Sequence, residues 1–245
     1  LKDWRRRWSI LGTDETTTTT SFTSSLGRDT TDNPIFPITG SRIRLSSELA
    51  GGLGENEFYK GEINASKFFS MDFMNRYLPF SFWQSSSLRF RTSQAMGGGF
   101  GDTHGLPIFE RFFLGGDNNL RGYDHEDVGP KGVNEGADSI GGDYSTLLSG
   151  EFMFPIPIKL PYVKAVKGVS FLDMGNVFAR GDAKDFFNPS SYRKSAGLGV
   201  RVLTPMGPAR LDWAYRLDGG EKQDESRDEN DSGSSKFHFG FGSQF

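Results

Sequence analysis

The residues Ser235-Lys236-Phe237-His238-Phe239-Gly240-Phe241-Gly242-Ser243-Gln244-Phe245 close the chain, and their alternation decides its fold. Successive side chains of a strand point to opposite faces. Phe237, Phe239, Phe241 and Phe245 therefore share one face, and Lys236, His238, Gly240 and Gln244 share the other. The preceding segment repeats the pattern: Leu211, Trp213, Tyr215 and Leu217 oppose Arg210, Asp212, Ala214 and Arg216. Before that, Ala196, Leu198, Val200 and Val202 oppose Ser195, Gly197, Gly199 and Arg201. One face is apolar and aromatic, the other charged or small.

The first half reads alike. Ile43, Leu45 and Leu49 oppose Arg42, Arg44, Ser46 and Glu48, and Tyr59, Ile63 and Ala65 oppose Lys60, Glu62, Asn64 and Ser66. Phe82, Leu88 and Phe90 oppose Arg89 and Arg91 over a predicted strand at 82–92. Further strands are predicted at about 16–27, 145–154 and 166–178, which makes nine. Their lengths suit a tilted membrane strand, which needs ~9–11 residues. Short, Pro-rich turns (Pro34–Gly40, Pro155–Pro161, Thr204–Pro208) alternate with long polar loops at 96–144, 179–193 and 218–234, and the middling 71–80 connection falls on the short side. An antiparallel sandwich also alternates apolar with polar. The charged face, the aromatic opposite face and the asymmetric connections favour a membrane β-barrel with short periplasmic turns and long external loops. Lipid leaves no backbone group unpaired, so such a sheet must close on itself. Single-chain bacterial barrels normally have an even number of strands. Nine is odd, so further strands are expected upstream of Leu1.

Composition agrees. Of 245 residues only 35% are hydrophobic, with 32 Gly and 23 Phe, and the mean hydropathy is −0.49. That profile is poor in the aliphatic residues of a soluble core. The net charge of −3 comes with no basic stripe for nucleic acid. The absence of cysteine removes disulfides, thiol chemistry and Cys-based zinc sites. His104, His125 and His238 are scattered without ligand spacing, so neither a metal nor another cofactor is expected. No nucleophile–base order and no phosphate loop appears, and catalysis by side chains is not expected. The acidic run Glu221–Asp231 reads as a solvated external loop rather than a cation site. Residues 1–14, with Trp4, Arg5, Arg6, Arg7 and Trp8, fit either a basic amphipathic membrane segment or an external loop.

The longest loop carries Phe112-Phe113-Leu114-Gly115-Gly116-Asp117-Asn118-Asn119-Leu120-Arg121-Gly122-Tyr123, followed by Val128-Gly129-Pro130-Lys131. A loop of this length is costly to order unless something fixes it. An Arg inside a barrel can make bidentate bonds to wall carboxylates. Gly122 permits positive φ or close approach, and Tyr123 adds an aromatic body with a polar tip. By strand parity Glu151 and Asp173 face inward.

The loop run resembles the conserved sixth loop of the BamA, TamA and Sam superfamily, with Leu120 standing where Val or Ile is commoner. The resemblance extends to Gly27-Arg28-Asp29-Thr30 with Asp32-Asn33-Pro34, Phe36-Pro37 and Gly40-Ser41-Arg42. It also covers Phe171-Leu172-Asp173-Met174-Gly175-Asn176-Val177, and Ser195-Ala196-Gly197-Leu198-Gly199 through Pro205-Met206-Gly207-Pro208. It implies that residues 1–245 form the C-terminal portion of an outer-membrane barrel domain. These would be the last nine strands of sixteen, without the POTRA domains and early strands. It implies a loop lock of Arg121, Gly122 and Tyr123 on Glu151 and Asp173, supported by Gly115, Gly116, Gly129 and Pro130. Phe237, Phe239, Phe241, Gly242 and Phe245 look like the C-terminal β-signal of outer-membrane proteins, with Gly242 at a weakly closed seam between first and last strands.

The function the resemblance implies is assembly of client β-barrel proteins in the bacterial outer membrane. The implied partners are the bilayer with its lipopolysaccharide, unfolded outer-membrane clients and periplasmic lipoprotein subunits. Two alternatives remain at this point: a polypeptide-secreting transporter of the same superfamily, and a passive porin. A mitochondrial or plastid outer membrane is the alternative location. From parity alone, Arg at Leu211 or Trp213 should be far more damaging than Arg at Ala214.

Overall fold

A computed structural model describes residues 17–52, 54–77, 81–132, 139–158, 163, 165–182, 185–218 and 235–242. Residues 1–14, the run Glu221–Asp231 and Phe245, all singled out in the sequence, lie outside the described residues. The structure is an antiparallel sheet of nine strands in sequence order. They are β1 (Ser21–Asp29), β2 (Gly40–Ala50), β3 (Phe58–Ser70), β4 (Ser87–Gly99), β5 (Tyr144–Pro155), β6 (Ala165–Phe178), β7 (Arg193–Thr204), β8 (Gly207–Arg216) and β9 (Ser235–Phe241). Among the described residues each strand pairs with its neighbours in the chain, and β1 and β9 stand at the two ends of the row.

The alternation is physical. Ile43, Leu45 and Ile63, and further on Leu172, Leu198, Leu211, Trp213, Phe237 and Phe239, are exposed on the outer face. The inner face buries Glu151, Asp173, Arg201, Asp212 and Arg216. A sheet with apolar residues outside and paired charges inside is stable in lipid, where the outer residues contact acyl chains.

β4 departs from expectation at both ends. It was predicted at 82–92 but runs Ser87–Gly99, and Phe82 sits in a short 3-10 turn, Ser81–Ser85. Register gives the reason. β3 ends at Ser70, which pairs with Ser87, so nothing on β3 remains to pair with 82–86. At the other end Phe58 pairs with Gly99, and the glycines at 97–99 stay in the ladder. The 71–80 connection consequently extends to Ser86 and holds two 3-10 turns.

The β1–β2 turn is not a plain hairpin. Asp32 Oδ1 accepts from the Ile38 and Thr39 amides at 2.9 and 3.0 Å. Asn33 Oδ1 accepts from Ile35 and Phe36 at 2.9 and 3.0 Å. The turn so fixed lays Phe36 in a cluster with Met153, Val169, Phe171 and Ala214. Lys167 Nζ lies 5.4 Å from the Phe36 ring, and Ser87 Oγ donates to the Pro37 carbonyl at 3.1 Å. The turn thus folds beneath the inner face.

Candidate functional site

The β4–β5 loop returns into the sheet's concave side. Leu114 bridges Val128, and these two pack with Leu120 and Tyr123 on Leu147 of β5 and Val177 of β6. Gly115 and Gly116 have φ of +113° and +100° and carry the chain through its tight turn. Gly116 donates to the Tyr123 carbonyl at 3.2 Å, closing the tip. Gly129 approaches Val177 so closely that a Cβ there would stand 3.1 Å from the Val177 Cβ. The Pro130 carbonyl accepts from Ile140 at 2.9 Å.

Anchored on this cluster, Arg121 is buried among charges. Its Nε and Nη2 bind the two oxygens of Asp173 at 2.7 and 2.8 Å, a bidentate pair. Nη1 lies 2.6 Å from Glu151 Oε1 and 3.9 Å from Asp212 Oδ2. The guanidinium sits 3.5 Å from the centre of the Phe171 ring. Ser149, opposite Asp173 across the β5–β6 ladder, donates to Asp173 Oδ1 at 2.6 Å. The carboxylates are shared further: Arg89 Nη1 binds Glu151 Oε2 at 3.0 Å, and Arg201 grips Asp212 at 2.6 and 3.0 Å. Three guanidinium groups thus meet three carboxylates, which offsets the cost of burying each charge. Burial opposes Arg121's charge, but Glu151 and Asp173 outweigh it and raise its pKa.

Gly122 follows at φ +91°. A Cβ there would reach 3.4 Å from those of Ala214 and Ser195, so the backbone lies against the wall. Its carbonyl accepts from Arg216 Nε at 2.6 Å, and its amide donates to His238 Nε2 at 2.8 Å. Tyr123 donates to the Lys194 carbonyl at 3.2 Å and to Asp218, while the Arg216 guanidinium stacks over its ring at 4.7 Å. Burial, and then the Asp218 carboxylate, push its phenol pKa up.

Ala214, expected to tolerate Arg as an inward position, is fully buried beneath Gly122. That expectation is corrected: the inner face is covered there by the loop, and a large side chain has no room. At the chain's end Phe237, Phe239 and Phe241 project outward from β9. Gly242, at φ +111°, ends the strand and donates to the Pro208 carbonyl at 3.0 Å.

Sequence reasoning did not assign Arg89, Ser149, Phe171, Arg201, Asp212, Arg216, Asp218 or His238 to the site. Most carried a readable signal, a polar residue on the inward parity of a strand. Which of them the loop would reach depends on the sheet's curvature.

A sheet with a lipid-type outer face, ion-paired inner face and inward-seated external loop defines the wall of a transmembrane β-barrel. The Omp85 superfamily domain matches residues 3–245. The chain belongs to that superfamily and is an outer-membrane protein. It is 30% identical over 221 residues to the outer membrane protein assembly factor BamA of Nitratidesulfovibrio vulgaris, covering 89% of this chain and 24% of that protein. To the Neisseria meningitidis BamA it is 26% identical over 214 residues, 78% and 25% of the two chains. The chain therefore spans about a quarter of these curated relatives. The crystal structure of BamA from Haemophilus ducreyi lacking POTRA domains 1–3 superposes with a TM-score of 0.65 at 22% identity. The match covers 90% of this chain and 41% of that one, and shows the shared fold.

Proposed function

We propose that this chain is the C-terminal barrel portion of an assembly factor that folds and inserts client β-barrel proteins into the outer membrane. The observation that carries the reading is how the inner face is used. The Arg121 loop covers its middle and the Phe36 turn lies beneath its short-turn end. An inner face occupied at two levels is ill suited to passing a polypeptide or freely diffusing solute. The client's route is then the barrel's terminal strand, β9, which pairs with β8 on one side and would receive a client strand where the barrel's seam opens. A strand edge offers a row of backbone donors and acceptors on which a client strand can add. Its outward Phe residues keep that edge in lipid, where the client must end. Such a reaction needs no bond chemistry, so the protein is proposed to act without catalytic residues or cofactor. Clients, bilayer lipid and periplasmic lipoprotein subunits are the proposed partners, and Arg121 with Glu151 and Asp173 is the proposed lock on the loop.

Depletion of the protein in its own cell tests this. Folded outer-membrane barrels, scored by heat-modifiable mobility, should fall together. Normal barrel levels with loss of a single secreted polypeptide would instead mark a secretion transporter.

A further inference from the structure

Every inward residue of β9 is engaged with the long loop or with a side chain that holds it. Lys236 pairs with Asp124. His238 Nε2 accepts from the Gly122 amide at 2.8 Å. Gly240 leaves room for Arg210, since a Cβ there would collide with the Arg210 Nε. Arg210 in turn binds Asp117 at 2.8 Å, and Asn118 beside it. The residue after the buried Arg121 is thus tied directly to the edge strand, 116 positions further along the chain.

We propose that His238 is a positioning residue that couples the loop lock to the terminal strand, so that displacing β9 loosens the loop tip and unseating the tip loosens β9. This rests on the reading of β9 as the seam strand. The coupling is reciprocal by necessity, because one contact belongs to both equilibria. It is also proton-sensitive. A backbone amide can only donate, so His238 must present an unprotonated Nε2. The imidazolium has donors at both nitrogens and would set N–H against N–H. Asp117 and Arg121 of the loop and Asp212 and Arg210 of β8 are the charged groups that act on the ring. Protonation acts on the contact through the lost acceptor.

The test is hydrogen exchange on the intact protein in lipid bilayers, read at residues 117–124 and 235–242. His238→Ala should speed exchange about five- to tenfold in both segments, the range expected for one lost hydrogen bond. His238→Gln, whose Oε1 can replace Nε2 as acceptor, should restore near-native rates. The unaltered protein should show the same joint loosening from pH 8 to pH 5, after correction for intrinsic exchange, and His238→Gln should not. Loosening of one segment without the other, no change in either, or a Gln variant that behaves like Ala would overturn the proposal. Client insertion is scored separately. Coupled exchange with insertion unaffected by β9 loosening removes the seam reading and leaves this inference standing. Impaired insertion with uncoupled exchange does the reverse.

Discussion

Arg121 is only 5% exposed and Asp173 is fully buried, so neither charge has water to fall back on. Removing Arg121 strips the buried Asp173 of its countercharge, a loss of about 3–5 kcal/mol. Arg121→Ala is therefore expected to unseat the loop and expose it to protease in folded protein. Arg121→Lys should rescue poorly, because an ammonium cannot span both oxygens of Asp173 while also reaching Glu151. A double-mutant cycle should show Arg121→Ala and Asp173→Ala costing much less together than the sum of the two. Additive costs would mean the pair is not the anchor. Gly122→Ala should cost about 1–3 kcal/mol, from a strained φ and from contact with Ala214 and Ser195. At this scale the sequence was informative where parity was: Glu151 and Asp173 are inward whichever way the sheet curves. Asp212 and Arg201 were equally inward, but their convergence on Arg121 requires β7 and β8 to curve beneath the loop, which no local pattern specifies.

At the scale of strands the parity claim can be tested within single elements. Ile63 and Asn64 are neighbours on β3, the first exposed on the outer face and the second inward. Ile63→Arg should destabilise folding into liposomes by about 2–4 kcal/mol near mid-membrane, with Asn64→Arg far milder. Leu211→Arg and Trp213→Arg should resemble Ile63→Arg. Equal effects of the two β3 variants would place that strand outside lipid. Ala214→Arg is expected to be severe for a different reason, collision with the loop tip. The same contrast shows what alternation conveys. It gave the number and order of the strands, because apolar–polar switching along β2, β3, β7, β8 and β9 records which side faces lipid. It could not give the ends of β4. Three consecutive glycines read locally as a loop, yet Gly97–Gly99 remain paired because β3 extends to meet them. The Phe36 turn was legible as a turn through its Asp32-Asn33-Pro34 run, but its placement under β5 and β6 depends on tertiary packing alone.

Taken as a whole, the molecule combines a lipid-facing wall with an inner face closed by two inserted segments, and both should limit ion flow. In the intact protein, combining Phe36→Ala with Arg121→Ala is expected to raise single-channel conductance in planar bilayers above either change alone. Unchanged conductance in the double variant would mean that these segments do not obstruct the lumen. Client strands are proposed to be received at the β9 edge rather than passed through the lumen. Site-specific photo-crosslinking tests it most directly, with a crosslinker at Phe239 on β9 or at Asn64 on the inner face, in the intact protein engaged with a client arrested during assembly. Adducts are expected from Phe239 to the client's terminal strand, with few from Asn64; abundant adducts from Asn64 with none from Phe239 would instead mean passage through the lumen.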